Sequence, residues 1–173
     1  LFQAYVGPGD GVVVVRPSYA MYEVYAQLSG AEVSAVDCGA DLRFDVQAMA
    51  SLVNESTRLV LIANPNQPTG ALVDDEDLGV VVDAAQQVGA LVVFDEAYAP
   101  FARHSAREHF GDHPNVVVLQ SFSKAWGLAG LRVAAMYGVP TVITAAGAVR
   151  SVYDVNAAAL AALEVLLSHP EVI

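Results

Sequence analysis

Short runs of apolar residues recur along the chain, separated by stretches long enough to form helices. Five runs are rich in Val, Leu and Ile and are continuous rather than alternating: Val12–Val15, Ala31–Val36, Arg58–Ala63, Ala90–Phe94 and Asn115–Leu119. Three further segments have helical length and pattern: Pro17–Ser29, Asp75–Val88 and Asn156–Leu167. Strands that alternate with helices indicate βαβ units, and continuous apolar strands are typical of a sheet buried on both faces. We therefore predict an α/β fold with a mostly parallel sheet and helices on both faces.

Length and charge narrow the function classes. The 173 residues suit one domain with a sizeable core. Eight basic and 19 acidic residues give a formal net charge of -11, which argues against binding to a phosphate backbone. No apolar run approaches the roughly 20 residues that a membrane span needs. We expect neither nucleic acid nor a membrane as a partner.

The first residues and the single cysteine bear on cellular location. The start, L-F-Q-A-Y-V-G-P-G-D-G, lacks the basic region and cleavage site of a signal peptide. This segment predicts instead the last turns of a helix, followed by a Gly/Pro turn. We therefore expect that the chain begins in the middle of a fold. Cys38 cannot form an internal disulfide and is interpreted as a small apolar side chain. A reducing, cytoplasmic location is expected.

Three distinctive motifs follow three of the predicted strands. They are N-P-N-Q-P-T-G after the Arg58 run, D-E-A-Y after the Ala90 run and Q-S-F-S-K after the Asn115 run. Ligands of open α/β sheets bind beyond the carboxyl ends of the strands, so one crevice is expected to collect all three.

Rival interpretations of these and other motifs are weaker. A strand followed by D-E also occurs in P-loop ATPases, but the chain has no G-x-x-x-x-G-K-[ST]. Gly7, Gly9 and Gly11 precede a strand rather than joining a strand to a helix, which predicts a surface turn and not a dinucleotide loop.

The histidines and one acidic cluster carry little chemical signal. His104, His109 and His113 have no cysteine partner and no H-E-x-x-H spacing, so we interpret them as solvated loop residues and expect no metal site. The cluster Asp74–Asp77 opens a predicted helix, where negative charge is stabilising, and a capping role is expected.

Lys124 is the only lysine in the chain and lies in L-Q-S-F-S-K-A-W-G-L-A-G-L-R. A lysine that snorkels from a loop is the ordinary interpretation. Here the small neighbours Ser121, Ser123, Gly127 and Gly130 leave room for a ligand. A desolvated lysine in such a pocket could act as a neutral amine nucleophile toward a carbonyl, which is Schiff-base chemistry.

A pyridoxal cofactor would account for the other motifs. Its ring nitrogen needs a carboxylate, which Asp95 could supply, and its phenolic oxygen needs a donor, for which Tyr98 is available. Its phosphate needs a guanidinium and hydroxyl groups, which Arg132 could provide with Ser121 and Ser123.

The motifs together resemble the fold-type I, class I and II pyridoxal-phosphate aminotransferases, most closely the histidinol-phosphate aminotransferase branch. The matching stretches occur in family order: R-P-S-Y-A-M-Y, N-P-N-Q-P-T-G, V-F-D-E-A-Y, S-F-S-K-A-W-G-L-A-G-L-R and Y-D-V-N. The resemblance implies that Lys124 forms the Schiff base and moves a proton at the substrate Cα. It implies that Asp95 pairs with the pyridine nitrogen and Tyr98 donates to the phenolate oxygen.

The resemblance also implies further cofactor contacts and one departure. Tyr19 matches the aromatic residue that stacks on the cofactor ring, and three residues match phosphate ligands: Ser121, Ser123 and Arg132. The family usually has Asn before P-T-G as a second donor to the phenolate oxygen, whereas this chain has Gln67. Gln67 keeps the amide but adds a methylene, so the bond either survives with a shifted backbone or passes to Asn66.

Two parts of the family's site have no counterpart in residues 1–173. These are an upstream Gly-rich segment for the phosphate and a C-terminal small domain whose arginine holds the substrate carboxylate. The resemblance therefore implies that residues 1–173 form part of the large domain, and that the fragment alone is not a competent catalyst. The complete protein is expected to be a homodimer.

The expected function is amino-group exchange between histidinol phosphate or an aromatic amino acid and 2-oxoglutarate. Two alternatives stay open: a decarboxylase of the same fold, similar to threonine-phosphate decarboxylase, and a non-catalytic sensor module. The residues that orient the bonds at the substrate Cα would distinguish the enzymes, and they lie outside these motifs.

Overall fold

A six-stranded sheet forms the centre of the computed structural model, which describes residues 1–102, 104–169 and 171. The sheet has the order β2-β1-β3-β4-β5-β6, in which the first five strands are parallel and β6 runs antiparallel to β5. The strands are β1 (Gly11–Arg16), β2 (Glu32–Asp37), β3 (Thr57–Ala63), β4 (Leu91–Asp95), β5 (Val116–Ser121) and β6 (Ala134–Gly138). The prediction of a mostly parallel sheet is confirmed, and the five predicted strands agree with these bounds to within two residues.

Eight helices are present among the described residues. They are α1 (Phe2–Tyr5), α2 (Met21–Leu28), α3 (Val46–Leu52), α4 (Asp75–Val88), α5 (Ala99–Ala102), α6 (Arg107–Phe110), α7 (Pro140–Ala148) and α8 (Ala157–Leu167), with a short 3-10 turn at Ala129–Leu131. The bounds of α4 are those predicted, and α8 begins one residue later than expected. Helix α2 begins at Met21 rather than Pro17, because the chain first turns out of β1. Strand β6 and helices α3, α5, α6 and α7 were not predicted.

Each face of the sheet has its own apolar core. On one face, Val13 and Val15 pack with residues of α3 and α4, including the fully buried Met49. On the other, Val12 and Val14 pack with residues of α1, α2 and α7. Successive strand residues point to opposite faces, so a strand covered on both faces must be apolar at every position. This explains why the runs are continuous, and it confirms that helices cover both faces.

The N-terminal segment forms the predicted helix and turn. Helix α1 is followed by a turn in which the Asp10 N–H donates to the Gly7 carbonyl (3.2 Å). Gly9 has a φ of 86°, a conformation that favours glycine. Gly7 and Gly9 thus form a turn before β1, as expected, whereas Gly11 is the first residue of that strand. No helix in the described part of the chain is long and apolar enough to cross a membrane.

Cys38 lies just after β2 and is partly buried against the α3/α4 core. Burial, and to a lesser extent the carboxylates of Asp37 and Asp41, raise the pKa of its thiol. A raised thiol pKa lowers the thiolate fraction, so Cys38 is a weak nucleophile, which fits its interpretation as a packing residue.

Candidate functional site

The three distinctive motifs meet at the carboxyl edge of the sheet. The Asn64 N–H donates to the Asp95 carbonyl (3.0 Å), and the Glu96 N–H donates to the Leu119 carbonyl (2.8 Å). These bonds extend the β3–β4 and β4–β5 pairings into the segments that follow the strands. The three motifs share this edge because β3, β4 and β5 are neighbours and end together.

Two buried asparagines shape the loop after β3. The side chain of Asn64 donates to the Val73 carbonyl and accepts from the Val73 N–H, each at 2.9 Å, and so closes the base of the loop. Asn66 accepts from the Ser18 hydroxyl (2.8 Å) and donates to the Pro17 carbonyl and the Thr69 hydroxyl (3.0 Å each). The loop is thereby tied to the turn that follows β1.

The neighbouring amides Asn66 and Gln67 differ in what they can offer a ligand. Both N–H groups of Asn66 donate within the protein, and only 2% of the residue is exposed. Gln67 is exposed at the tip of the loop, and its side chain makes no hydrogen bond to another described residue. Of the two, Gln67 is the amide with donors free for a bound molecule.

Asp95 ends β4, and both of its carboxylate oxygens are held. Oδ1 accepts from the Ala97 N–H (3.1 Å), and Oδ2 accepts from the Tyr22 hydroxyl (2.6 Å). The Tyr22 ring meets the Tyr19 ring edge-on, with centroids 5.5 Å apart at 82°. Tyr19 is 44% exposed, which leaves ring surface accessible for stacking. The predicted ring-nitrogen partner and the predicted stacking residue are thus joined through Tyr22.

Lys124 and Tyr98 come together although they follow different strands. The Lys124 Nζ lies over the Tyr98 ring, 5.5 Å from its centroid. Neither the Lys124 amine nor the Tyr98 hydroxyl forms a hydrogen bond within residues 1–102, 104–169 and 171. The Lys124 amine is therefore available to a carbonyl group of a ligand, and the Tyr98 hydroxyl is available to a neighbouring oxygen of the same ligand.

The environment of Lys124 corrects one expectation. The sequence suggested a desolvated lysine in a pocket, whereas the residue is exposed. Its neighbours are too small to cover it, and the loop turns sharply where the Gly127 N–H donates to the Lys124 carbonyl (3.0 Å). Gly127 has a φ of 67°, which only glycine adopts at little cost. Lys124 therefore lies at the outside of a tight turn at the open end of the sheet.

The predicted phosphate ligands are brought together by β6. Ser121 pairs with Ala134 across the two antiparallel strands, and the Phe122 N–H donates to the Val133 carbonyl (3.3 Å) beyond them. This pairing places Arg132, which lies just before the paired residues Val133 and Ala134, next to the serine segment that follows β5. The Arg132 guanidinium is exposed and donates to the Ala129 carbonyl (3.1 Å). The strand that sequence patterns missed is the one that makes Arg132 a neighbour of the serine segment.

The backbone in the serine segment is also constrained. The Ser121 hydroxyl oxygen accepts from the Ser123 N–H (3.1 Å), which bends the chain directly after β5. Arg132 has a φ of 56°, in the left-handed region that non-glycine residues seldom adopt. Such conformations are found most often where function requires them.

Glu96 is a buried carboxylate that the sequence analysis did not single out. It is 1% exposed and accepts from the Ser105 hydroxyl (2.6 Å), the Ala106 N–H (2.5 Å) and the Gln120 side-chain amide (2.9 Å). Three donors satisfy the charge without a cation. Glu96 thus connects the Asp95–Tyr98 turn to the strand that leads to Lys124. Its position inside D-E-A-Y was the available signal.

The candidate residues border three cavities rather than the single crevice that was expected, and Ser121 lies in the third, with Glu96 and Gln120. The Tyr98 cavity has a volume of about 600 Å³ and includes Asn66, Gln67, Tyr98 and Phe101 in its lining. The Asp95 cavity has a volume of about 390 Å³ and includes Tyr19, Tyr22, Asp95 and Leu119. The D-E-A-Y turn contributes Tyr98 to the first cavity and Asp95 to the second.

Two of the three histidines pair with Asp75, although the His109 side chain is 71% exposed, as expected for a solvated residue. His104 Nε2 lies 2.9 Å from Asp75 Oδ1, and His109 Nδ1 lies 2.7 Å from Asp75 Oδ2. Asp74 is the N-cap of α4 but makes no side-chain capping bond to a described residue, so the acidic cluster contributes charge and an ion-pair partner. No group of three or more potential metal ligands occurs in the described ranges.

Comparisons with known proteins agree with this arrangement. A family model described as aminotransferase class I and II matches residues 1–173. A histidinol-phosphate aminotransferase from Burkholderia lata is 40% identical over 167 residues, covering 96% of this chain and 46% of that protein. An aromatic amino acid aminotransferase from Rhodococcus jostii is 41% identical over 164 residues, covering 94% of this chain and 46% of that protein. The chain thus spans about half the length of the curated relatives it matches.

Solved structures give the same fold. An Escherichia coli protein with a methionine aminotransferase function superposes with a TM-score of 0.87 at 26% identity, covering 99% of this chain and 48% of that one. An aspartate aminotransferase mutant from Thermus thermophilus superposes with a TM-score of 0.89 at 24% identity, covering 99% and 49%. The second similarity concerns the fold alone.

Proposed function

Because the chain belongs to the class I and II aminotransferases, we propose that it carries the lysine-bearing half of a pyridoxal-phosphate site. The reaction proposed is the exchange of an amino group between an amino-acid-like donor and 2-oxoglutarate. The observation that supports this most directly is the position of Lys124 Nζ over the Tyr98 ring. The only lysine of the chain lies beside a free phenol, one strand away from a carboxylate that ends β4.

The residues present fit pyridoxal phosphate in their chemistry. Lys124 offers an amine without a hydrogen-bond partner in the described part of the chain, and Asp95 offers a carboxylate at a strand end. Each Asp95 oxygen accepts one bond within the protein and keeps a lone pair for a ligand N–H. Tyr98 and Gln67 supply donors from the wall of the Tyr98 cavity.

The remaining contacts concern the ring face and the phosphate. Tyr19 presents exposed ring surface next to the Asp95 cavity, where an aromatic ring could stack. Arg132 supplies a guanidinium for the phosphate, and Ser121 and Ser123 supply hydroxyl groups from the adjoining turn. When bound, pyridoxal phosphate supplies an electron sink for the bonds at the substrate Cα.

The chain's own residues divide the remaining work. Lys124 would hold the cofactor through its Nζ and would move a proton to and from the substrate Cα. Asp95 keeps the ring nitrogen protonated, while Tyr98 and Gln67 hold the ring oxygen in place by donating to it. Asn66 has both N–H groups engaged and supports the loop that presents Gln67.

The amino donor is proposed from the relatives. Proteins similar to this chain are named histidinol-phosphate aminotransferase and aromatic amino acid aminotransferase, so histidinol phosphate and aromatic amino acids are the first donors to test. The proposal includes a homodimer and a cytoplasmic location for the complete protein. Screening these donors with 2-oxoglutarate and the complete protein, and measuring glutamate formation, tests the substrate.

Covalent labelling tests the cofactor site. The full chain is incubated with pyridoxal phosphate, reduced with borohydride, digested and mapped by mass spectrometry. The label is expected on Lys124, and Lys124→Arg, which keeps the charge, should abolish it. Because the chain has no second lysine, the α-amino group is the only other amine that could react. A label found there alone, or no label, rejects the proposal.

A further inference from the structure

Tyr22 connects helix α2 to the end of β4. The residue is 7% exposed, and its hydroxyl donates to Asp95 Oδ2 at 2.6 Å. It is the only side chain that donates to Asp95 among the described residues. Helix α2 packs against the sheet through Tyr22 and Ala26, so the phenol is carried on a fixed element.

The Tyr22 hydroxyl is the donor in its hydrogen bond with Asp95. Burial, followed by the charge of Asp95 and the hydrogen bond to it, raises the pKa of the Tyr22 phenol well above its ordinary value. The phenol therefore keeps its proton across the working range of proteins. It donates and the carboxylate accepts, and a bond to an ionised acceptor is stronger than a neutral one.

Two donors on different oxygens fix how Asp95 is turned. The Ala97 N–H holds Oδ1 and the Tyr22 hydroxyl holds Oδ2, so rotation of the carboxylate would break at least one bond. Tyr22 also meets the Tyr19 ring edge-on. One side chain thus contacts both residues assigned to the cofactor ring: the carboxylate for its nitrogen and the aromatic residue for its face.

We propose that Tyr22 is a positioning residue that orients Asp95 toward the ring nitrogen of the cofactor and so determines how tightly that nitrogen is held. This inference rests on the proposed function. Tyr22 touches no reacting atom, and its effect is exerted through Asp95. A Tyr22 variant should therefore bind a ligand with a ring nitrogen more weakly than the wild type does, and a ligand without one equally well.

The test compares two ligands and two variants of the full chain. The ligands are pyridoxal phosphate and its carbocyclic analogue, in which a C–H replaces the ring nitrogen. Tyr22→Phe keeps the buried ring and removes only the hydroxyl. Tyr25→Phe is the matched control, because Tyr25 lies on the same helix, is 47% exposed, and its hydroxyl has no hydrogen-bond partner in residues 1–102, 104–169 and 171.

Tyr22→Phe is expected to weaken the binding of pyridoxal phosphate by roughly 2-fold to 10-fold, the cost of ordering the freed Asp95 side chain when the ligand binds. It should also shift the absorption of the bound cofactor, because the ring nitrogen is held less firmly. Its affinity for the carbocyclic analogue should equal that of the wild type. Tyr25→Phe should resemble the wild type with both ligands.

The opposite results overturn the inference. Equal weakening of both ligands would mean that Tyr22 acts through general packing, and unchanged binding of both would mean that it does not act on the cofactor. Labelling of the wild-type protein distinguishes failure of the proposed function from failure of the Tyr22 role. If pyridoxal phosphate does not attach to Lys124, the proposed function fails and the inference fails with it. If it attaches and Tyr22→Phe binds both ligands as the wild type does, the inference alone fails.

Discussion

The Nζ of Lys124 lies 5.5 Å from the centroid of the Tyr98 ring, although the two residues follow different strands. The contact exists because β4 and β5 are parallel neighbours whose carboxyl ends meet at one edge. A cation over an aromatic ring at an exposed site contributes about 0.5–1 kcal/mol. The geometry is therefore maintained more by the two strands than by the contact itself, and a ligand can displace the amine at little cost.

Tyr98→Phe separates the ring from its hydroxyl. We expect the free energy of unfolding to change by less than about 0.5 kcal/mol, because the hydroxyl has no protein partner in the described ranges. Cofactor affinity should fall severalfold and the absorption of the bound cofactor should shift, because a donor to its ring oxygen is lost. Urea denaturation and a spectral titration measure the two effects. An unaltered spectrum would exclude Tyr98 as that donor.

Gln67 and Asn66 are adjacent amides with opposite expected phenotypes. Gln67→Ala should leave stability unchanged and weaken cofactor retention, because its side chain is free at the loop tip. Asn66→Ala should lower the free energy of unfolding by about 1–3 kcal/mol, because it leaves buried partners such as the Pro17 carbonyl unsatisfied. Each variant is the control for the other in a urea melt and a cofactor titration. A stable Asn66→Ala protein would contradict the assigned roles.

Glu96 is expected to be a determinant of stability. Glu96→Gln removes the charge and sets an N–H group against the Gln120 amide, which should lower the free energy of unfolding by about 1–3 kcal/mol. The reciprocal exchange, Glu96→Gln with Gln120→Glu, should recover part of the loss because it restores one donor and one acceptor. Glu108→Gln is the control, since Glu108 is exposed. If the double variant is no more stable than Glu96→Gln, the bond to Gln120 is not the important one.

Arg132 combines a strained backbone with the proposed phosphate contact. Arg132→Gly should raise the free energy of unfolding by about 0.5–1 kcal/mol, because relief of the left-handed conformation exceeds the added freedom of glycine when unfolded. The same change should weaken pyridoxal phosphate binding strongly and pyridoxal binding little. Thermal unfolding and parallel titrations with the two aldehydes measure this. Equal losses for both aldehydes would show that Arg132 does not hold the phosphate.

The sequence predicted the parallel part of the sheet well because both faces are covered. A residue such as Val13 and its neighbour Val14 must both be apolar when each faces a core, and that leaves a visible run. Strand β6 was missed because A-A-M-Y-G has neither β-branched residues nor alternation. Its pairing with β5 is a long-range effect that local patterns do not carry.

The sequence motifs pointed to the candidate residues but not to the residues that support them. The motifs that contain Lys124, Asp95 and Tyr98 indicate a chemistry through their residue types. In contrast, Tyr22 and Glu96 act through partners that are distant in sequence. The Tyr22–Asp95 bond spans 73 positions. The exposure of Lys124 was also unforeseen, because small neighbours indicate space without indicating whether anything fills it.

Strand β6 also affects how the protein behaves in solution. It is an edge of the sheet in the described part of the chain, so the backbone groups along its outer side have no partner strand there. Its residues, Ala134–Gly138, carry no charge. An uncharged edge strand is a template onto which another chain can add a strand. We therefore expect concentration-dependent aggregation of residues 1–173 expressed alone, and a charged side chain in β6 to be the simplest remedy.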